Sequence, residues 1–262
     1  MTGAQPVTWR QCRTTALALF VATGAMPGCS GDVTPPDKSG TFYGPVATVA
    51  DGTGRAYVIL DRAGVPTDLG VALTEGALTG LPAAATEYTF VLPLQASSTA
   101  FKHAVINWQP TGHPPAMVYT VPHFDVHFYV ITTEQRQAML LGTPELAAKM
   151  ARRPADEFVP SGYVQGMASA QMGNHWNDPS DPQYNGQPFT KTMIYGTYDG
   201  ALIFTEPMVA KAYLETKPSR VLSPIKLPAQ YSTPGYQATS YSVAYDAGTK
   251  EYLVALSGLV LR

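Results

Sequence analysis

Short runs of alternating apolar and polar residues recur along this chain, cut by Gly, Pro, Asp and Asn. Alternation with period two puts successive side chains on opposite faces of a β-strand. RAYVILD (55–61), TEYTFVLPL (86–94, ending at Pro93) and FKHAVINWQP (101–110) fit that pattern. In the last, Phe101, His103, Val105 and Asn107 point one way and Ala104, Ile106 and Trp108 the other. The intervening RAGVPTDLG reads as a turn with little regular structure, and GVALTEGALTGLP (70–82) as a strand and turn or one short helix. The loop TGHPPAM (111–117) leads into a long strand, VYTVPHFDVHFYVI (118–131). KTMIYGTYDGALIFTEPM (191–208) is a hairpin turning at Asp199-Gly200, a two-residue turn signal. TSYSVAYDAGTKEYLVALSGLVLR closes the chain as a second hairpin.

Helical patterns are short. TTEQRQAMLLG (132–142) has Thr132 or Thr133 as a cap. PELAAKMAR (144–152) places Pro144 at the first helical position, and VAKAYLET (209–216) makes a third helix. The predicted fold is mainly β, of the α+β kind: a β-barrel-like or sandwich core with short inserted helices. No internal repeat or central linker divides it, so residues 41–262 read as one domain.

The N-terminus changes the picture. Arg10 and Arg13 precede a short apolar stretch, Thr14 to Ala25, and then small residues and Cys29. Residues 1–29 read as a bacterial export signal with a lipobox-like end, MPGC, and 30–40 as a polar, Pro-containing tether. The expected location is periplasmic or envelope-tethered, with membrane contact only through a lipid on Cys29. Lipidation and plain secretion both remain open. No cysteine follows Cys29, which excludes thiol catalysis in the body.

The chain carries 17 Lys plus Arg and 19 Asp plus Glu. Without the two leader arginines, 17 becomes 15, and the remainder is near −4. No basic stripe points to nucleic acid. No Gly-x-Ser-x-Gly elbow is present, and GTGR (52–55) lacks the lysine of a phosphate loop.

Histidine is where chemistry concentrates. On a strand, His123, Asp125 and His127 share one face, and Phe124, Val126 and Phe128 the other. Burying two imidazoles and a carboxylate requires a partner for them, a divalent ion or a hydrogen-bond network. MGNHW adds His175 in a loop beside Trp176. Glu206 shares a face with Leu202 and Phe204 if ALIFTEP is a strand, and His113 lies at the turn end of a hairpin between 101–110 and 118–131. The expected metal set is His123, His127, His175 and Glu206 on one ion, with Asp125 orienting an imidazole and His113 at the pocket mouth. His123 and His127 stand about 13 Å apart on a straight strand, so this set needs a local distortion. Zinc is the expected ion, with manganese or iron suited to the same donors.

The segments NWQPTGHPPAMVYTVPHFDVHFYVI, MGNHW and IYGTYDGALIFTEPM resemble, in that order, the small bacterial exported proteins described as TTHB210-like, a domain of unknown function. The opening GTGRAYVILDRAGVPTDLGVALTEGALTGLP and the closing GYQATSYSVAYD are similar to it too, so the resemblance spans roughly 41–262. It implies a β-rich fold with inserted helices and a tendency to homo-oligomers. The matching positions are His113, His123, Asp125, His127, His175 and Glu206. Gln109 departs from the expected asparagine, at a turn. His-x-Asp-x-His also resembles cupin metal sites, whose spacing is the closer His-x-His.

Three functions fit: an envelope protein binding a divalent metal or small ligand in a β pocket; a metal-dependent hydrolase, lyase or isomerase on a small soluble substrate, with Asp125 or Glu206 as base; or a structural protein with a satisfied polar core.

Overall fold

The structure, a computed structural model, describes residues 36–140 and 142–262, together with Met1 and Gly3. The expected export signal, Cys29 and the first part of the tether lie outside the described residues. From Gly40 onward come strands β1 (Gly40–Tyr43), β2 (Ala47–Val49), β3 (Gly52–Leu60), β4 (Pro66–Thr74), β5 (Thr86–Val91), β6 (His103–Gln109) and β7 (His123–Tyr129). Helices α1 (Thr133–Gln137) and α2 (Pro144–Ala151) follow, then β8 (Val164–Ser169), β9 (Gly173–Asn177), β10 (Lys191–Tyr198) and β11 (Ala201–Ala210). The chain ends with α3 (Lys211–Glu215), β12 (Val221–Pro224), β13 (Tyr236–Gln237), β14 (Ser240–Asp246), β15 (Glu251–Ser257) and β16 (Val260–Leu261).

Two seven-stranded sheets carry the fold. In the first, β1 and β2 both pair with β3, and the order continues β4, β15, β14, β12. The second runs β5, β6, β7, β11, β10, β9, β8. The pairings within both are antiparallel. Each has two open edges, so the sandwich alternative describes the molecule and the closed barrel does not. A strongly twisted sheet closes only when its first and last strands meet. Here β5 and β8 do not pair, and β12 does not reach β1 or β2.

One core joins the sheets. Val58, Leu69, Val71, Val254 and Leu256 of the first sheet pack with Ala104, Ile106, Trp108, Phe124, Val126 and Phe128 of the second. Phe124, Val126 and Phe128 are at most 1% exposed. Each such side chain contributes roughly 1.5–3 kcal/mol by leaving water. A one-residue slip of β7 would exchange all three for its histidines, so packing locks the strand's register. The three residues that 101–110 alternation put opposite His103 are in this core, as predicted.

The far face of the second sheet is covered by irregular chain. Tyr119 from the loop before β7, Met139 after α1 and Phe189 before β10 pack there on Val105, Tyr129, Ile194, Phe204 and Met208. Thr132 caps α1 in a reciprocal box with Gln135, and Thr143 caps α2 ahead of Pro144. The buried Arg136 of α1 donates to Glu87 and stands 5.1 Å from the Tyr129 ring centre. The Asp199-Gly200 turn has φ of 52° and 80°, the left-handed pair that a two-residue hairpin requires.

Local readings missed in several places. The strand read over 118–131 is ordered only as His123–Tyr129, and the helix read over 132–142 only as Thr133–Gln137. Residues 66–74 form the full strand β4, because pairing with β3 and β15 orders a segment with weak pattern of its own. MGNHW is strand β9, not a loop. Val209 and Ala210 end β11, leaving α3 only Lys211–Glu215.

Candidate functional site

The site occupies that covered face. His123, Asp125 and His127 all point to it, and their side chains are at most 4% exposed. Their partners on β6 are Gln109, Asn107 and Val105. On β11 the pairs Thr205–Phe128 and Met208–Asp125 bracket Glu206 opposite His127. Phe204 shares that face, but Leu202 does not. The register shift between Gly196 and Thr197 sends Leu202 into the inter-sheet core.

His127, Glu206 and His175 form one triad. His127 Nε2 is 3.5 Å from Glu206 Oε2, and His175 Nε2 is 3.9 Å from the same oxygen. His175 lies two strands away from β11 yet reaches it because β10 offers Gly196 at the intervening position. A Cβ there would come within 2.0 Å of the Phe204 ring. That ring fills the space, with its centre 4.6 Å from His127 and 5.5 Å from His175. Trp176 faces the core and anchors β9 by donating to Thr197 Oγ1 at 2.8 Å.

His113, His123 and Asp125 form the other triad. His123 Nε2 is 2.9 Å from Asp125 Oδ1, and His113 Nε2 is 3.6 Å from Oδ2. The hairpin geometry that placed His113 at the turn end brings it beside His123, ring centres 4.8 Å apart. Gln109 donates to Asp125 Oδ2 at 3.1 Å. The residue read as a turn departure therefore belongs to the site.

The expected set of four on one ion is divided. Three candidate ligand atoms within 4.8 Å of one another occur in each triad, and His123 falls in a different triad from His127. The strand stays extended between them, so positions i and i+4 diverge along the sheet. Asp125 faces both imidazoles of its triad directly and is a candidate ligand itself. His103 joins neither triad. It stacks on Tyr129 at 4.8 Å, nearly parallel.

Hydrogen bonds behind the rings set which nitrogen is bare. His113 Nδ1 meets the Pro114 carbonyl at 2.8 Å, His123 Nδ1 the Val121 carbonyl at 2.7 Å, and His175 Nδ1 the Met167 carbonyl at 3.1 Å. A carbonyl only accepts, so each Nδ1 carries a proton, and a ring with no second proton turns an Nε2 lone pair inward. His123 Nε2, Asp125 Oδ1, both nitrogens of His127 and Glu206 Oε2 are buried without a hydrogen-bond partner among the described residues. Two bare acceptors 2.9 Å apart, as at His123 and Asp125, repel unless a cation stands by them.

Burial dominates the electrostatics. It pushes the His127 imidazole down to about 3, despite the Asp125 charge, and lowers His175. It raises Glu206 well above the carboxylate range, with the Asp125 charge adding to the effect. At Asp125 burial works the same way, but the adjacent His113 and His123 outweigh it and hold the carboxyl low. His113 is raised, burial being overcome by Asp125.

Both triads open on one cavity of about 400 Å³. His113 and Asp125 of one triad and His175 of the other line it, together with Tyr119, Met172, Ile194 and Met208. No alternation marks these apolar residues in the sequence, since they come from four separate segments.

The model of the TTHB210-like family, described as hypothetical protein TTHB210, matches residues 61–108 of this chain. That stretch runs from the end of β3 through β6 and stops before the triads. Neither the curated proteins nor the solved structures yielded a match.

Proposed function

We propose that this protein binds divalent cations, one at each triad, on the covered face of its second sheet. One observation carries the reading: six His, Asp and Glu donor atoms in two tight groups, most of them buried and without hydrogen-bond partners among the described residues. Carbonyl-held tautomers are how proteins orient imidazoles toward metals. Two histidines and a carboxylate suit zinc first, and manganese or iron use the same donors.

Elemental analysis of protein purified without chelator or added metal tests it. About two divalent ions per chain are expected, with His127→Ala losing one, His123→Ala losing the other, and the double variant losing both. A metal-free wild-type protein that also fails to take up zinc, manganese or iron in titration would overturn the proposal.

A metal-dependent enzyme on a small soluble substrate is the second reading. Each triad supplies three protein donors, which leaves coordination open for water or substrate. The proposed setting is the cell envelope, reached by the N-terminal signal, with the chain as a homo-oligomer.

A further inference from the structure

We infer that the cavity between the triads takes a small organic anion, a carboxylate or similar oxyanion on an apolar body, whose charged head completes the coordination of the bound cations. The inference rests on the metal reading and adds the class of ligand.

The walls set the apolar half. Pro114, Pro115, Met172, Ile194 and Met208 surround the space. Its volume, about 400 Å³, falls in the range of small-molecule sites and exceeds what a few ordered waters need. Thioether and aliphatic walls reward a hydrocarbon body of several carbons.

Charge sets the other half. Two dications against the two carboxylates, Asp125 and Glu206, leave an excess of two positive charges in a largely buried region. An anion offsets that excess, and the donor set of three on each ion leaves it a place to bind. Among the described residues no lysine or arginine lines the cavity, and Asp125 is its carboxylate. Without cations the cavity would therefore repel an anion. Recognition of the head group is assigned entirely to the metals.

Calorimetric titration with octanoate tests this, using zinc-loaded full-length protein and the same protein stripped by chelator, with 1-octanol as the neutral analogue. Octanoate should bind the zinc form about tenfold more tightly or better than the stripped form, and more tightly than octanol binds either. Ser169→Trp, on the cavity wall and outside both triads, should fill part of the space and weaken octanoate severalfold while zinc stoichiometry stays at the wild-type value. Zinc uptake with equal octanoate affinity for both forms, or octanol binding as tightly as octanoate, would overturn the inference and leave the metal reading standing. Absence of zinc uptake would instead remove the metal reading, and the inference with it.

Discussion

Glu206 Oε2 faces His127 Nε2 at 3.5 Å across adjacent strands, and neither atom has a hydrogen-bond partner among the described residues. A protonated carboxyl turned toward the ring would satisfy both, and so would a cation. Glu206→Gln separates the two. The amide keeps the shape and can donate to the ring, so the metal-free fold should hold to within about 1 kcal/mol. Zinc affinity at this triad should fall by on the order of 100-fold, because a neutral amide oxygen is a poor ligand beside imidazole. Thermal melts and zinc titration of the variant check both halves.

The carbonyl contacts predict tautomers. In metal-free protein near pH 8, His113, His123 and His175 should all carry the proton on Nδ1. Long-range nitrogen–proton NMR correlations distinguish the two tautomers. An Nε2-protonated His123 would mean that it donates to Asp125, and would favour a hydrogen-bonded polar core.

Gly196 is predicted to be intolerant of a side chain. Gly196→Ala forces a methyl group into the Phe204 ring, which packs against His127 and His175. Overpacking of this kind costs about 1–3 kcal/mol. Zinc should be weakened at the His127–His175–Glu206 triad and retained at the other, as read by stoichiometry in the His123→Ala and His127→Ala backgrounds.

His103 gives a pH dependence independent of the triads. Burial depresses its imidazole to about 4, with the Arg136 charge adding to the effect. A depressed group favours the folded state above its unfolded pKa of about 6.5, and that contribution is lost as pH falls toward 4. His103→Phe keeps the stack on Tyr129 and has nothing to titrate. In chelator, the wild type should lose on the order of 2 kcal/mol more stability than this variant between pH 8 and pH 4, allowing for solvent screening. Denaturant titrations across that range measure the difference.

Assembly and anchoring yield a further pair of tests. The sequence offers two oligomer contacts, the aromatic-rich C-terminal hairpin or exposed strand edges, and within the chain the hairpin's strands are paired on both sides, β15 with β4 and β14 with β12. One open edge of the second sheet is β8, where Val164 and Met167 are 51% and 57% exposed. Exposed edges invite strand pairing, and a lysine blocks it. Sedimentation should give a mass above one chain for wild type and one chain for Val164→Lys. Cys29→Ser should move the protein from the membrane to the soluble fraction, and an unlipidated mature N-terminus by intact mass would refute the lipid anchor.

Period-two alternation by itself determined the β class, the faces of β6 and β7, and the grouping of His123, Asp125 and His127 on one side. Turn and cap chemistry at Asp199-Gly200, Thr132 and Pro144 determined where hairpins and helices begin. These are local properties, set by the pleat and by neighbouring residues. Which strands lie side by side is not local. The sheet order alone brought Glu206 opposite His127, put side-chain-free Gly196 between Phe204 and His175, and returned Gln109 to Asp125. Strand extension then separated His123 from His127, because a sheet holds i and i+4 apart while letting residues from neighbouring strands meet. So the sequence was enough to name the six polar residues, and only tertiary pairing could sort them into two sites across a shared cavity.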